Sequence, residues 1–122
     1  MKRMLIVEDD YLTQKIFLRL FKNEFKIDFC EAGEEYYRNY INEKYDIIIA
    51  DVSLKGSKNG LELIHEIKNN PDKKNTPIIC LTAHAFAKDR TNALESGADL
   101  FLTKPILNIN LLNAVKSLIK EK

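Results

Sequence analysis

The chain has 122 residues, 45% hydrophobic and 30% charged, with 19 Lys and Arg against 18 Asp and Glu. A single globular domain of this size buries roughly two-thirds of its unfolded surface, so neither a disulfide nor a structural metal is required for folding. The near-neutral balance excludes a general nucleic-acid or anionic-membrane binder, and no apolar run approaches the roughly 20 residues that span a bilayer.

The apolar run after Met1 is short and ends in acids, unlike a signal peptide. Cys30 and Cys80 sit in separate apolar stretches without metal-site spacing, as expected of buried thiols in a reducing compartment. The expected location is cytoplasmic, with no membrane insertion and no direct contact with nucleic acid. Residues 1–122 are expected to form one domain.

Five strand-length apolar runs alternate with longer amphipathic ones. In chain order they are Met4–Val7, Ile27–Cys30, Ile47–Ala50, Ile78–Leu81 and Leu100–Leu102. Four lack any polar interruption, as strands do when both faces of a sheet are covered. Between the runs lie helical spacings: Leu12, Ile16, Leu20 with Phe17 and Phe21, then Tyr36, Tyr40 with Tyr37 and Ile41. Leu63, Ile64 and Ile67 mark a third helix, and Ala85, Phe86, Ala93 and Leu94 a weaker fourth. The stripe Leu111, Leu112, Val115, Leu118, Ile119 makes the last, with Asn108 as its expected cap. Strand and helix alternate five times, which predicts a parallel sheet with right-handed crossovers and ligands at the carboxyl ends of its strands.

Chemistry gathers at those ends. The first strand runs into Glu8, Asp9 and Asp10; the third ends at Asp51; the fourth ends at Thr82; Lys104 and Pro105 follow the fifth. Two carboxylates about 5 Å apart at an effective dielectric near 20 repel by roughly 3 kcal/mol, and three by on the order of 10 kcal/mol. Such a group protonates, splays or binds a cation, and hard oxygen ligands suit Mg²⁺. Acidic helix caps are the plain alternative, good for Asp10 but poor for Asp51, which precedes a long loop. Thr82 reads equally as a cap hydroxyl, and Lys104 alone as a solvated lysine. The adjoining Pro105 marks a sharp turn, with a cis peptide bond as one option. His84 lies near the same edge, whereas His65 belongs on an exposed helix face.

The segments LIVEDD, IIIADVSLKG with NGLEL, PIICLTAHA and GADLFLTKPI together resemble the receiver domain of two-component response regulators. The resemblance spans essentially the whole chain. It implies a flavodoxin-like α/β fold: a five-stranded parallel sheet in the order 2-1-3-4-5, doubly wound with five helices. It also implies roles. Asp51 would be the phosphoacceptor, and Glu8 and Asp9 the acidic pair that positions Mg²⁺, with the Ser53 carbonyl completing the protein ligands. Thr82 and Lys104 would bind phosphoryl oxygens. Phe101 would be the switch aromatic, and Pro105 would follow a cis bond. The expected donor is a histidine kinase or histidine phosphotransfer protein, and the expected effector surface is formed by the fourth helix, fifth strand and last helix.

Two features depart from the commoner pattern. The loop after Asp51 reads VSLKGSKNG, longer than usual, and phenylalanine stands where tyrosine is common. The leading reading is a stand-alone receiver with no output domain, tilted by LTAHAFAKDR toward phosphorelay receivers. A Mg²⁺-dependent phosphatase with an aspartate nucleophile is the second reading. It calls for an acid two residues after Asp51, where Ser53 stands. A non-phosphorylated interaction module is the third, and loss of an acid, the threonine or the lysine would favour it.

Overall fold

The computed structural model describes residues 1–51, 60–83 and 87–119, the side chains of 87–89 excepted. Ser53, Leu54, Lys55, His84, Ala85 and Phe86 lie outside the described residues. The strands are β1 (Lys2–Val7), β2 (Phe25–Cys30), β3 (Ile47–Asp51), β4 (Ile78–Thr82) and β5 (Leu100–Thr103). The helices are α1 (Tyr11–Phe21), α2 (Gly33–Glu35, continued by a wider turn over Tyr36–Tyr40), α3 (Gly60–Asn69), α4 (Ala87–Ser96) and α5 (Asn108–Leu118). All four strand pairings are parallel, and the order is β2-β1-β3-β4-β5.

Both faces of the sheet are covered, which is why its central strands read as unbroken apolar runs. Met4, Ile6, Ile47, Ile49, Ile79 and Leu81 pack against Phe17 and Phe21 of α1 and Leu111 and Val115 of α5. The alternate residues Leu5, Val7, Ile48, Ala50, Ile78 and Cys80 face Tyr36, α3 and Ala93 of α4. Burial of each isoleucine in this core contributes about 1.5–3 kcal/mol. Both cysteines are free and buried, as expected.

Three local expectations need correction. Leu12 and Ile16 share a spacing with the core residues of α1 but are 68% and 51% exposed. The sheet is covered by Phe17 and Phe21 instead, because a helix packed on one side buries only one stripe. Asn108 is the first residue of α5 rather than its cap; Leu107, extended, occupies the cap position without a side-chain bond. The tyrosine segment winds with π-type bonding over Tyr36–Tyr40 rather than as an α-helix. Tertiary contacts accompany that wider turn: Tyr36 meets Tyr37 edge-to-face, Tyr37 OH bonds Glu66, and Tyr40 OH donates to Phe29 O at 2.9 Å.

The end of the sheet away from Asp51 is held by a lysine. Lys68 Nζ on α3 donates to Thr76 O at 2.7 Å and to Asp99 Oδ2 at 3.0 Å. Asp99 Oδ2 also accepts from the Ile78 N–H at 2.8 Å, at the start of β4. The Lys68 stem therefore has little room to move. It lies against Gly97, whose φ of +113° suits glycine, and a Cβ built there would meet Lys68 Cγ at 2.7 Å. Gly97→Ala should destabilise the domain by about 1–3 kcal/mol. Urea unfolding of the two proteins checks this, with a lower midpoint and an unchanged slope as the expected result.

Candidate functional site

The site is built from the carboxyl ends of β1, β3, β4 and β5. A parallel sheet brings these ends to one edge, so residues far apart in sequence meet there. Glu8, the first residue after β1, and Asp51, the last of β3, are both buried, as is Thr82 at the end of β4. Asp9 is half-buried. Carboxylate oxygens of Glu8, Asp9 and Asp51 lie within 4.8 Å of one another.

Lys104 reaches into this group from the turn after β5. Its Nζ lies 2.7 Å from Glu8 Oε1 and 2.8 Å from Asp51 Oδ2. Its backbone N–H donates to Thr82 O at 2.7 Å, which seats the turn on the end of β4. The Lys104–Pro105 peptide is cis. The repulsion expected between the acids is thus partly offset by one ammonium shared between two of them.

The electrostatics follow from burial and these bonds. Burial pushes the Glu8 carboxyl above the ordinary carboxylate range, against the pull of Lys104 and of the Asp10 N–H. Burial disfavours the Lys104 charge, but its bonds to Asp51 and Glu8 outweigh that and raise its pKa. Cys80 lies in the apolar layer beneath, where burial pushes its thiol up to about 12. It is a poor nucleophile there and belongs to the core.

Asp10 has the cap role that its position suggested. Its Oδ2 accepts from the Thr13 N–H at 3.0 Å and the Thr13 hydroxyl at 2.6 Å, and these bonds hold its carboxyl below the usual range. Gln14 was not singled out by the sequence. Its Nε2 donates to the Glu8 carbonyl at 2.6 Å. Such a bond leaves no periodic trace; only its position six residues after the acid hints at it.

Phe101 is half-buried and packs on the face that also holds Cys80 and Ala93. The parallel register sets Phe101 beside Cys80 and Thr103 beside Thr82. Phe101 therefore lies one pleat below Thr82 on the same side of the sheet. His65 is exposed on α3 near Asn69, away from the site, as expected. Ser53 and His84 fall outside the described residues.

The donor set fits a hard divalent cation. Ligands on opposite sides of Mg²⁺ are about 4.2 Å apart, so the three oxygens need only a small adjustment to share one ion. Beside Lys104 an open cleft of about 390 Å³ is lined by Thr13, Ile16, Phe17, Pro105 and Ile106.

The fold and this edge define a doubly wound α/β domain with an acidic pocket at the carboxyl ends of its strands, and comparison with known proteins names the family. The response regulator receiver domain pattern matches residues 4–116, so the chain belongs to the response regulator receiver domain family of two-component signalling. It is 31% identical over 119 residues to the regulatory protein VanRB of Enterococcus faecalis, covering 97% of this chain and 52% of that protein. The chain spans about half the length of the curated relatives it matches. Among solved structures it resembles the receiver domain of a signal transduction histidine kinase from Syntrophus aciditrophicus. The TM-score is 0.87 at 31% identity, over 98% of this chain and 90% of that one. It also resembles the receiver domain of a sensor histidine kinase from Pseudomonas aeruginosa, which holds a magnesium ion in its active-site cleft. There the TM-score is 0.86 at 27% identity, over 97% of each chain. Among the described residues no helix is long and apolar enough to cross a membrane.

Replacing Lys104 by methionine leaves Glu8 and Asp51 facing each other without their shared cation. Lys104→Met should lower the metal-free melting temperature by several degrees, because breaking a largely buried pair strands the partner charges. Millimolar Mg²⁺ should recover part of that loss, beyond what sodium gives at equal ionic strength. Thermal melts in the two salts are the check, and identical melting of the two proteins without metal would count against the shared-cation reading.

Proposed function

We propose that residues 1–122 act as one receiver domain that accepts a phosphoryl group on Asp51 from a phosphohistidine, with Mg²⁺ as cofactor. The carrying observation is the arrangement of three clustered carboxylates with one ammonium bonded to both Glu8 and Asp51. Phosphoryl transfer needs positioning and charge neutralisation more than covalent assistance. This set supplies both.

Glu8, Asp9 and Asp51 would hold the ion, together with the Ser53 carbonyl. When bound, Mg²⁺ supplies charge neutralisation for the incoming phosphoryl oxygens. Asp51 is the nucleophile: its Oδ–P bond forms as the N–P bond of the donor imidazole breaks, and the imidazole leaves with its electron pair and takes up a proton. Lys104 already points at Asp51, so its ammonium needs only a small movement to pair with a phosphoryl oxygen. Thr82, at the neighbouring strand end, supplies its hydroxyl to another. The domain promotes its own phosphorylation and dephosphorylation and does no chemistry on a separate substrate. A phosphatase reading is weaker, because serine stands two residues after Asp51 where a general acid is required.

The donor in this reading is a histidine kinase or a histidine phosphotransfer protein, in a two-component system or a phosphorelay in the cytoplasm. The exposed apolar cleft beside Lys104 favours a protein donor, since a small phosphodonor needs no such surface. The output surface is the face of α4, β5 and α5. Phosphorylation shifts a population between two arrangements of Thr82 and Phe101, and the diagonal placement of these two supports that coupling.

Incubation with a small phosphodonor and Mg²⁺ should add one phosphoryl group by intact mass, acid-stable and base-labile. Asp51→Asn should take up none, and persistent labelling of that variant would sink the assignment. NMR with a phosphate mimic tests the output. Amide shifts should extend from Thr82 to the residues around Phe101, whereas shifts confined to the neighbours of Asp51 would remove the switch.

A further inference from the structure

We infer that Gln14 is a positioning residue for the acidic pair: its side-chain amide fixes the Glu8–Asp9 peptide and thereby sets where both carboxylates stand toward a divalent cation. The inference rests on the reading of this edge as a cation and phosphoryl site.

The argument starts from one bond. Gln14 Nε2 donates to Glu8 O at 2.6 Å. A carbonyl oxygen only accepts, so the amide nitrogen must be the end that faces it. That carbonyl belongs to the peptide joining Glu8 to Asp9. A peptide is planar, so with the Glu8 Cα held at the end of β1, fixing the direction of the C=O fixes the plane that contains both Cα atoms. One amide thus acts on two ligands at once.

The other supports of this stretch leave that role to Gln14. The Glu8 N–H donates to Cys30 O at 2.8 Å, which ties the end of β1 to β2. Glu8 Oε2 accepts from the Asp10 N–H at 3.1 Å, and Oε1 takes Lys104. Those bonds hold the Glu8 backbone entry and its side chain. The plane of the following peptide, which aims Asp9, is held from α1 through Gln14. Asp10 then caps the same helix through Thr13. Both ends of the acidic stretch are therefore anchored to one rigid element, the first turn of α1. Gln14 is itself fixed there, since its backbone N–H makes the helix bond to Asp10 O at 3.0 Å.

Mg²⁺ makes this placement matter, because it demands near-ideal octahedral geometry with short bonds. Groups that orient metal ligands typically change affinity by about 10–100-fold when removed. Gln14 acts through a peptide rather than on a ligand atom, so the lower end of that range is expected.

The test is a Mg²⁺ titration of the full chain, followed by amide NMR shifts or calorimetry, for wild type, Gln14→Met and Gln14→Ala. Methionine keeps the length and removes the donor. Phe21→Leu, which trims the core face of the same helix away from the cleft, controls for general loosening, and metal-free melts place all variants on one stability scale. The expected result is a Mg²⁺ Kd raised about tenfold in both Gln14 variants and unchanged in Phe21→Leu. Labelling at saturating Mg²⁺ should run at the wild-type rate in all of them, since the amide touches no reacting atom. Wild-type affinity in the Gln14 variants would overturn the inference alone, as would an equal loss in Phe21→Leu. A wild-type chain that binds no Mg²⁺ would overturn the reading of the site and this inference with it.

Discussion

An ammonium between two buried carboxylates is the interaction on which the rest of this edge depends. Glu8 and Asp51 are both withdrawn from water, and unpaired ions in such a place are costly. Lys104 bonds both within 2.8 Å. Its own charge is disfavoured by burial and favoured by two acceptors, and the acceptors win. The three groups are therefore interdependent: Lys104 holds its charge through both acids, and its ammonium in turn draws on Glu8. The rise in the Glu8 pKa is the residue of that balance, with burial prevailing over its two hydrogen bonds.

The sheet exists in a form that makes this meeting possible. Parallel pairing sends all carboxyl ends the same way, so residues 8, 51, 82 and 104 share one edge although the chain separates them widely. The three interior strands, β1, β3 and β4, are apolar on both faces and locked between helical layers. A charged group at the end of such a strand inherits its rigidity. β3, buried throughout, ends directly in Asp51. An apolar strand with a terminal carboxylate is a stiff rod with a polar tip, and its sequence makes sense in those terms.

Much of this was legible in the sequence, for definite reasons. Five apolar runs and the helical spacings between them report a covered sheet because burial on both faces removes the alternation of a half-exposed strand. The site acids, Thr82 and Lys104 stood out as a set at strand ends. The order of the strands came from the resemblance, since periodicity says nothing of which strands pair. What escaped reading had a common cause. The outward turn of Leu12 and Ile16, the extended Leu107 before α5, and the wider winding over Tyr36–Tyr40 are all decided by packing between elements. Gln14 escaped because its partner is a main-chain carbonyl, which every residue possesses. Ser53 and His84 remain as the sequence alone presents them.

The seat of Lys104 has a mechanical consequence. Its backbone is pinned to Thr82 through a 2.7 Å hydrogen bond, while its ammonium lies at the far end of four methylene groups. The lysine is thus a swinging arm on a fixed pivot. It can exchange one acceptor for another by rotating its own torsions, without moving the turn that carries it. Any displacement of the main chain must then enter by another route, through the strand end that serves as the pivot's bearing. Thr82 occupies that bearing, and the ring of Phe101 lies one pleat behind it.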